Sequence, residues 1–353
     1  MAHRPRLENL VQEQRVRRGW SQEELARQSG LSRAGISAIE VHRLVPSTAA
    51  ALALAAAFGC RVEDLFRLPL PGSGEAAWAW PPDQVPCRYW LADVGGRKRF
   101  YPVEATPLGV TPHDGVFHDG SHQERGHNDP ANTLVVACCD PAVGLIAAEL
   151  AHRAGVRLVA LPRSSREGLA LLGNGLVHAA GVHLARASEP EGNAAAVRAQ
   201  LGSGYQLLRI ARWEEGITFT SSLNIGSVRA AVRPKLRWVG REAGSGARQC
   251  LDEILGERRP PRRLASDHRG VAEAVRSGWA DVGVCLRLVS EEVGLGFLGV
   301  RQEEYDLCFP DRWRSDRRLR ALVDVVRSSS YRRSISELPG YESSETGELQ
   351  SVH

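Results

Sequence analysis

No apolar run in this 353-residue chain approaches the roughly 20 residues that a bilayer-spanning helix needs. The opening stretch, MAHRPRLENLVQEQRVRRGW, is charged throughout and lacks the apolar centre of a signal peptide. Lysine is nearly missing: of 45 basic residues only Lys98 and Lys235 are lysines, and both stand in hairpin or loop surroundings rather than in the context of a Schiff-base site. No nucleophile elbow and no Walker loop is found. The seven cysteines (Cys60, Cys87, Cys138, Cys139, Cys250, Cys285 and Cys308) are scattered and odd in number. That excludes a disulfide framework and fits a reducing cytoplasm. A formal net charge of only +4 excludes a polycation, so any nucleic-acid contact must come from a local patch. What remains is an ordinary globular composition, 43% apolar and 24% charged, in a chain long enough for two or three compact units.

The most informative stretch runs from Trp20 to Pro46, WSQEELARQSGLSRAGISAIEVHRLVP. Leu25, Ala26, Leu31, Ile36 and Ile39 fall at spacings that put them on the facing sides of two short helices. Ser21 followed by Glu24 reads as a capping box, Gly30 suits the left-handed turn between the helices, and Ser32 caps the second one. The whole of residues 5–66 reads as five short helices, with Leu7, Leu10 and Val11 striping the first, an alanine-rich fourth over Thr48 to Phe58, and Val62, Leu65 and Phe66 closing the core. These residues resemble the phage repressor/Cro family of DNA-binding domains. The match is carried by Gln22, Leu25, Ala26, Gly30, Leu31, Ser32, Ile36, Ile39, Glu40, Pro46, Leu54, Ala55, Phe58 and Leu65. The resemblance implies that Arg33, Ala34, Ser37 and Ala38 face bases in a major groove, near the cap Ser32, while Gln22 and Arg43 contact phosphates. One departure stands out: the family commonly has glycine after the glutamate, whereas Val41 and His42 follow Glu40 here.

Beyond Arg67 comes PLPGSGEAAWAWPPDQVP, a linker whose Trp78 and Trp80 imply that part of it docks on a domain surface. CRYWLADV and KRFYPV flank Gly95-Gly96 as a hairpin, followed by an irregular polar stretch to about Asn132. From Thr133 strands and helices alternate: LVVACCD, PAVGLIAAELAHRAG, VRLVALP, REGLALLGNGLVH and AAGVHL. A second cycle starts near Tyr205, with QLLRIARW, LRWVGRE, SGARQCLDEIL, ASDHRGVAEAVRSGW and ADVGVCL, before YDLCFP returns as a strand and a helix near Arg317 to Arg327 precedes a polar tail. This alternation predicts a largely parallel α/β sheet in two lobes with a cleft between them. The expected fold class is therefore multidomain: an all-α five-helix helix-turn-helix domain at 1–67, a linker with a β-hairpin at 68–132, a two-lobed α/β domain at 133–341 and a polar tail at 342–353.

GREAGSGARQCLDEIL runs from a strand through Gly244-Ser245-Gly246 into a helix, where free backbone N–H groups, the Ser245 hydroxyl and the Arg248 guanidinium would form an anion site. With GLALLGNGLVHAAGVHL, EPEGN, DHRGVAEAVRSGWADVGV and EEYDLCF in the same order, residues 133–341 resemble the cytoplasmic relatives of periplasmic binding proteins, often fused to a helix-turn-helix or to a molybdopterin-biosynthesis enzyme. The resemblance implies a fold that closes on a small ligand by hinge motion, with molybdate-type oxyanions as the natural class. It implies cleft residues Asp140, Ser164, Ser165, His183 and Asn193 from the first lobe, and Arg241, Ser245, Gly246, Arg248, His268 and Tyr305 from the second lobe and the returning strand. Asp281 in GWADVGV reads as either a cleft residue or a turn cap. The departure here is Cys138-Cys139 at the end of the first strand, either small buried hydrophobes or a pair able to meet oxidants or a soft metal.

HDGVFHDGSHQERGHND brings His113, His118, His122 and His127 together with three aspartates, but the spacing matches no closed zinc template, and no metal or cofactor is expected. The favoured reading is a one-component transcriptional regulator, not an enzyme: a cytoplasmic homodimer that binds double-stranded DNA, senses a small anionic ligand such as molybdate or a molybdenum-cofactor-related species, and has no membrane partner. The alternative is an enzyme-like or cofactor-delivery module of a molybdenum cofactor pathway with accessory DNA binding, against which the missing acid–base or nucleophile grouping argues. A third reading has the cleft emptied of ligand and kept only for dimerisation.

Overall fold

The computed structural model of the protein describes residues 8–41, 43–67, 76–126, 128–185, 191–233 and 235–353. Leu7, His42, His127, the linker residues 68–75 and the first two residues of EPEGN lie outside the described residues. The chain divides into one compact unit ending at Ala77 and another from Trp78 to His353.

The first unit holds five helices: α1 (Val11–Arg17), α2 (Gln22–Ser29), α3 (Arg33–Glu40), α4 (Thr48–Phe58) and α5 (Val62–Leu65). Ser21, Ser32 and Ser47 each accept a hydrogen bond from the backbone N–H three residues on, and so start α2, α3 and α4. Gly30 ends α2 at φ 69°, the left-handed conformation expected of it. The capping box at Ser21 is only half formed, because the Glu24 carboxylate takes Arg27 and Gln28 rather than the cap N–H. Val11, Leu25, Ile36, Ile39, Leu54, Phe58 and Leu65 fill a single core, with Trp20 stacked on Phe58 at 5.6 Å.

The second unit opens with β1 (Cys87–Val94) and β2 (Arg97–Pro102), paired about Gly95-Gly96 at φ 61° and 77°. Positive φ at both turn residues matches the two-residue hairpin read from the sequence. A second hairpin follows, β3 (Gly115–His118) and β4 (Ser121–Glu124), turning at Asp119 and Gly120 with φ 49° and 72°. The expected irregular stretch thus contains a strand pair; its Asp-Gly signal was present, but the strands are only four residues long and polar. Trp90, Ala92, Val94 and Tyr101 share one core with Val135, Ala137, Val159 and Leu161 of the following sheet. Most of the region expected as linker is therefore an integral layer, and the division falls at Ala77 rather than Arg67. Buried Asp114 pins the layers: it accepts from Arg157 at 2.6 and 2.8 Å, from the Leu91 N–H at 2.6 Å and from Asn128 at 2.8 Å.

The α/β part is built chiefly of β5 (Thr133–Cys138), α6 (Val143–Ala154), β6 (Arg157–Pro162), α7 (Ser165–Gly173), β7 (Ala179–Val182), α8 (Gly192–Leu201), β8 (Tyr205–Phe219), β9 (Trp238–Arg241), α9 (Gly246–Leu255), α10 (His268–Arg276), β10 (Val282–Leu286), β11 (Gly296–Pro310), α11 (Arg317–Arg327) and α12 (Ser329–Ser336), with short helices at Val228–Ala231 and Arg287–Glu292 between them. The sheet order is Leu264–Ala265, β9, β10, β8, β11, β7, β5, β6. Two 15-residue strands, β8 and β11, run antiparallel along their whole length and carry the architecture. The end of β11 pairs with β7, which leads to β5 and β6 in the first lobe. The end of β8 pairs with β10, which leads to β9 in the second. The chain thus crosses from lobe to lobe on β8 and returns on β11, giving the two-lobed α/β fold that the alternating pattern predicts. Register shifts at Arg209/Ala211 and Glu215/Gly216 kink this pair where the lobes meet. The expected polar tail is also structural: Tyr341–Glu342 and Leu349–Val352 pair with β8, and Thr346 is buried.

Candidate functional site

Helix α3 presents Arg33 and Ala34 to solvent, with Ser37 and Ala38 half-buried one turn on and Ser32 exposed at the cap. Arg43 is also exposed, beyond the end of the helix. Gln22 is not a free side chain: its Nε2 donates to Glu40 at 2.9 Å. Glu40 also accepts two bonds from Arg15, at 2.7 and 3.0 Å, so one carboxylate ties α1 and α2 to the end of α3. Burial pushes the Glu40 carboxyl up, but the bonds from Arg15 and Gln22 outweigh it and hold it below the ordinary range.

In the second unit the ends of β5, β7, β9 and α10 converge where the two lobes meet. His183 leaves β7 fully buried, with its N–H donating to Ser165 Oγ at 3.1 Å. Its Nδ1 bonds Glu303 on β11 at 2.9 Å, and its Nε2 shares a hydrogen bond with Cys139 Sγ at 3.0 Å. Burial opposes protonation of the His183 ring, yet Cys139 and Glu303 outweigh it and raise its pKa well above the usual value. Glu303 also accepts from Trp213 at 3.2 Å and pairs with Arg301, whose guanidinium reaches the Gly246 carbonyl at 3.0 Å.

The second lobe contributes Arg241, Gly246 and His268. Gly246 opens α9 against His183; a Cβ placed there would collide with the His183 ring and carbonyl. Arg241 is 2% exposed and pairs with Glu242 at 2.9 Å, but its Nη1 is buried without a partner. His268 is 1% exposed and neither ring nitrogen has a partner; burial, then the Arg241 charge, depress its pKa well below the usual value. A cavity of about 230 Å³ lies alongside, lined by Cys139, Asp267, His268 and Arg269 and walled by the loop around Thr106 to Gly109. Asp140 is buried at the end of β5, where burial pushes its carboxyl up to about 6 although the Ala142 N–H and the Tyr341 hydroxyl both donate to it. Its second oxygen has no partner.

Of the residues singled out from the sequence, the structure brings Asp140, His183, Arg241, Gly246 and His268 together. Others serve the fold. Ser164 caps α7 in a capping box with Glu167, and Ser245 caps α9. The Asn193 amide is saturated: Oδ1 accepts from Leu184 and Ala185, while Nδ2 donates to Val182, Glu304 and Asp306. The Arg248 guanidinium is engaged by Asp252 at 2.8 Å and by the Arg241 carbonyl at 3.3 Å. Tyr305 is stacked on Trp213 at 4.3 Å. Asp281 accepts the Arg237 backbone N–H at 2.7 Å and pairs with the Arg237 guanidinium at 2.7 Å, a tie between segments 44 residues apart. The residue missed was Glu303, whose signal was a carboxylate inside an otherwise strand-like run.

Residues 11–65 match the helix-turn-helix family, and residues 147–327 match the PBP superfamily domain. The chain is 42% identical over 62 residues to an uncharacterized HTH-type transcriptional regulator, YgzD, of Bacillus subtilis (strain 168), covering 94% of that protein and 18% of this chain. It is 30% identical over 133 residues to the uncharacterized protein YvgK of the same organism, covering 36% of this chain and only 42% of YvgK. Among solved structures, PhnD1 from Prochlorococcus marinus in complex with methylphosphonate aligns at 14% identity and TM-score 0.44, over 61% of this chain and 93% of that one. The tungstate ABC transporter from Geobacter sulfurreducens aligns at 12% identity and TM-score 0.45, over 58% and 98%. Among the described residues no helix is long and apolar enough to cross a membrane. With that domain matching just over half of its length, the chain belongs to the PBP superfamily, joined to an N-terminal helix-turn-helix domain.

Proposed function

We propose that this protein is a ligand-responsive DNA-binding regulator whose two-lobed domain takes a small anion of the molybdate type. The observation that carries the reading is Arg241: a guanidinium nitrogen buried without an acceptor, its charge felt by an unpartnered His268 that itself lines a cavity of about 230 Å³. Leaving a buried donor unsatisfied costs about 1–3 kcal/mol or more, and an oxyanion oxygen would relieve that cost. Closure of the lobes around the anion would bias the arrangement of the DNA-reading domains in a homodimer. One recognition helix reads too few bases for an operator, so two copies on a two-fold site are required. The ligand shifts DNA affinity only by its differential affinity for the two states.

Two measurements test this. A thermal-shift series with molybdate, tungstate, sulfate and phosphate should single out one anion; at about 100 times its dissociation constant it should add roughly 2.7 kcal/mol. Operator titrations with and without that anion should then differ. Equal operator affinity in both would remove the sensing function while leaving DNA binding intact.

A further inference from the structure

The buried Cys139, His183 and His268 form a cluster that anion binding does not explain. Their sulfur and ring nitrogens lie within 4.8 Å of one another, and all three residues are buried. Cys139 and His183 belong to the first lobe, whereas His268 opens α10 of the second. His183 already stands as a metal ligand would: its Nδ1 is held by the Glu303 carboxylate at 2.9 Å, which fixes the ring and turns Nε2 toward Cys139. Carboxylate-held imidazoles of this kind are the common second shell of metal-binding histidines. His268 is the independent sign, being 1% exposed with no partner for either nitrogen.

We infer that Cys139, His183 and His268 bind one thiophilic transition-metal ion, of the zinc class, across the junction of the two lobes. One thiolate and two imidazoles are three of the four ligands of a tetrahedral site, with Zn–S near 2.3 Å and Zn–N near 2.0–2.1 Å. The fourth position opens to the cavity that Cys139 and His268 line, so a small exogenous ligand completes the shell. The ion takes the place of the proton now shared by Cys139 and His183, since both ligate only when deprotonated at the donor atom. Because the donors come from both lobes, the ion also clamps them together. The site shares His268 and the cavity with the anion reading but adds Cys139 and His183, so a missing cobalt complex and a missing anion-induced thermal shift are separate failures.

The test uses the full chain, stripped with a chelator and titrated with Zn²⁺ against a chromophoric competitor, then with Co²⁺. One tight equivalent per chain is expected, with a thiolate-to-cobalt charge-transfer band and tetrahedral d–d bands. Cys139→Ser and His268→Gln should each weaken binding by about 100-fold or more, and Glu303→Gln by about 10–100-fold. Cys138→Ala and His118→Gln should bind as the parent does. The cobalt spectrum of the unaltered chain gives a readout that survives any folding defect in the variants. Absence of a stoichiometric ion, a cobalt complex without the thiolate band, or Cys139→Ser binding Zn²⁺ as tightly as the parent would each overturn the site.

Discussion

Gly246, the first residue of α9, lies against the ring and carbonyl of His183 with no room for a Cβ between them. This contact joins the second lobe to the first at the centre of the candidate site. Gly246→Ala should therefore hold the lobes apart, at a cost of about 1–3 kcal/mol to the closed form. Small-angle scattering should show a larger radius, and the anion should lose affinity; an unchanged radius and affinity would mean that α9 slides to accommodate the methyl.

Arg241 and Arg248 make opposite predictions although both flank the same glycine turn. Arg241→Met should abolish stabilisation by the anion, because it removes the buried unpaired donor. Arg248→Ala should leave it intact and cost about 0.3–0.5 kcal/mol, the worth of a helical i,i+4 pair with Asp252. Equal loss of the anion-induced shift in both variants would restore Arg248 to the site.

Glu40 is expected to control the stability of the helix-turn-helix. Its pair with Arg15 is almost closed to solvent, with side chains 2% and 12% exposed. Glu40→Gln should cost about 3 kcal/mol, since it removes the charge partner of the largely buried Arg15 guanidinium, which keeps its bond to the Trp20 carbonyl. The folded carboxyl titrates below its ordinary value of 4.5. Its contribution is therefore present above pH 4.5 and lost as the pH falls through the folded value. Amide-exchange protection factors in α1 to α3, corrected for the intrinsic rate, should fall on acidification in the parent, and Glu40→Gln should lack that step.

Arg33 stands exposed at the start of α3, and we propose that it reads a guanine edge. Arg33→Ala should lower discrimination at one base pair by about 1–3 kcal/mol. Uniformly weaker binding to every sequence, with a shallower salt dependence, would make Arg33 a phosphate contact instead.

The five helices and the α/β succession were legible because their signals are local: serine caps, Gly30, and apolar spacing within one element. The full length of β8 and β11 was not. Glu214, Glu215, Arg301 and Glu303 interrupt the apolar pattern that a strand leaves, and they are tolerated because Arg301 pairs with buried Glu215 across the strands and with buried Glu303 along its own strand. The second hairpin was hidden by the polarity of its short strands, and the closing strands at Tyr341–Glu342 and Leu349–Val352 by a polar stretch that pairs through backbone.

By itself the sequence determined that a five-helix DNA-binding unit precedes a two-lobed α/β domain, since helix periodicity, caps and strand alternation are settled within a few residues of chain. Only the tertiary structure decided which polar residues face the junction. Asn193 and Ser164 were consumed by backbone partners, Arg248 by Asp252, and Glu303 arrived beside His183 from 120 residues away. A side chain's chemistry depends on who occupies its hydrogen bonds, and those partners are brought by the crossing of β8 and β11 rather than by neighbours in the chain.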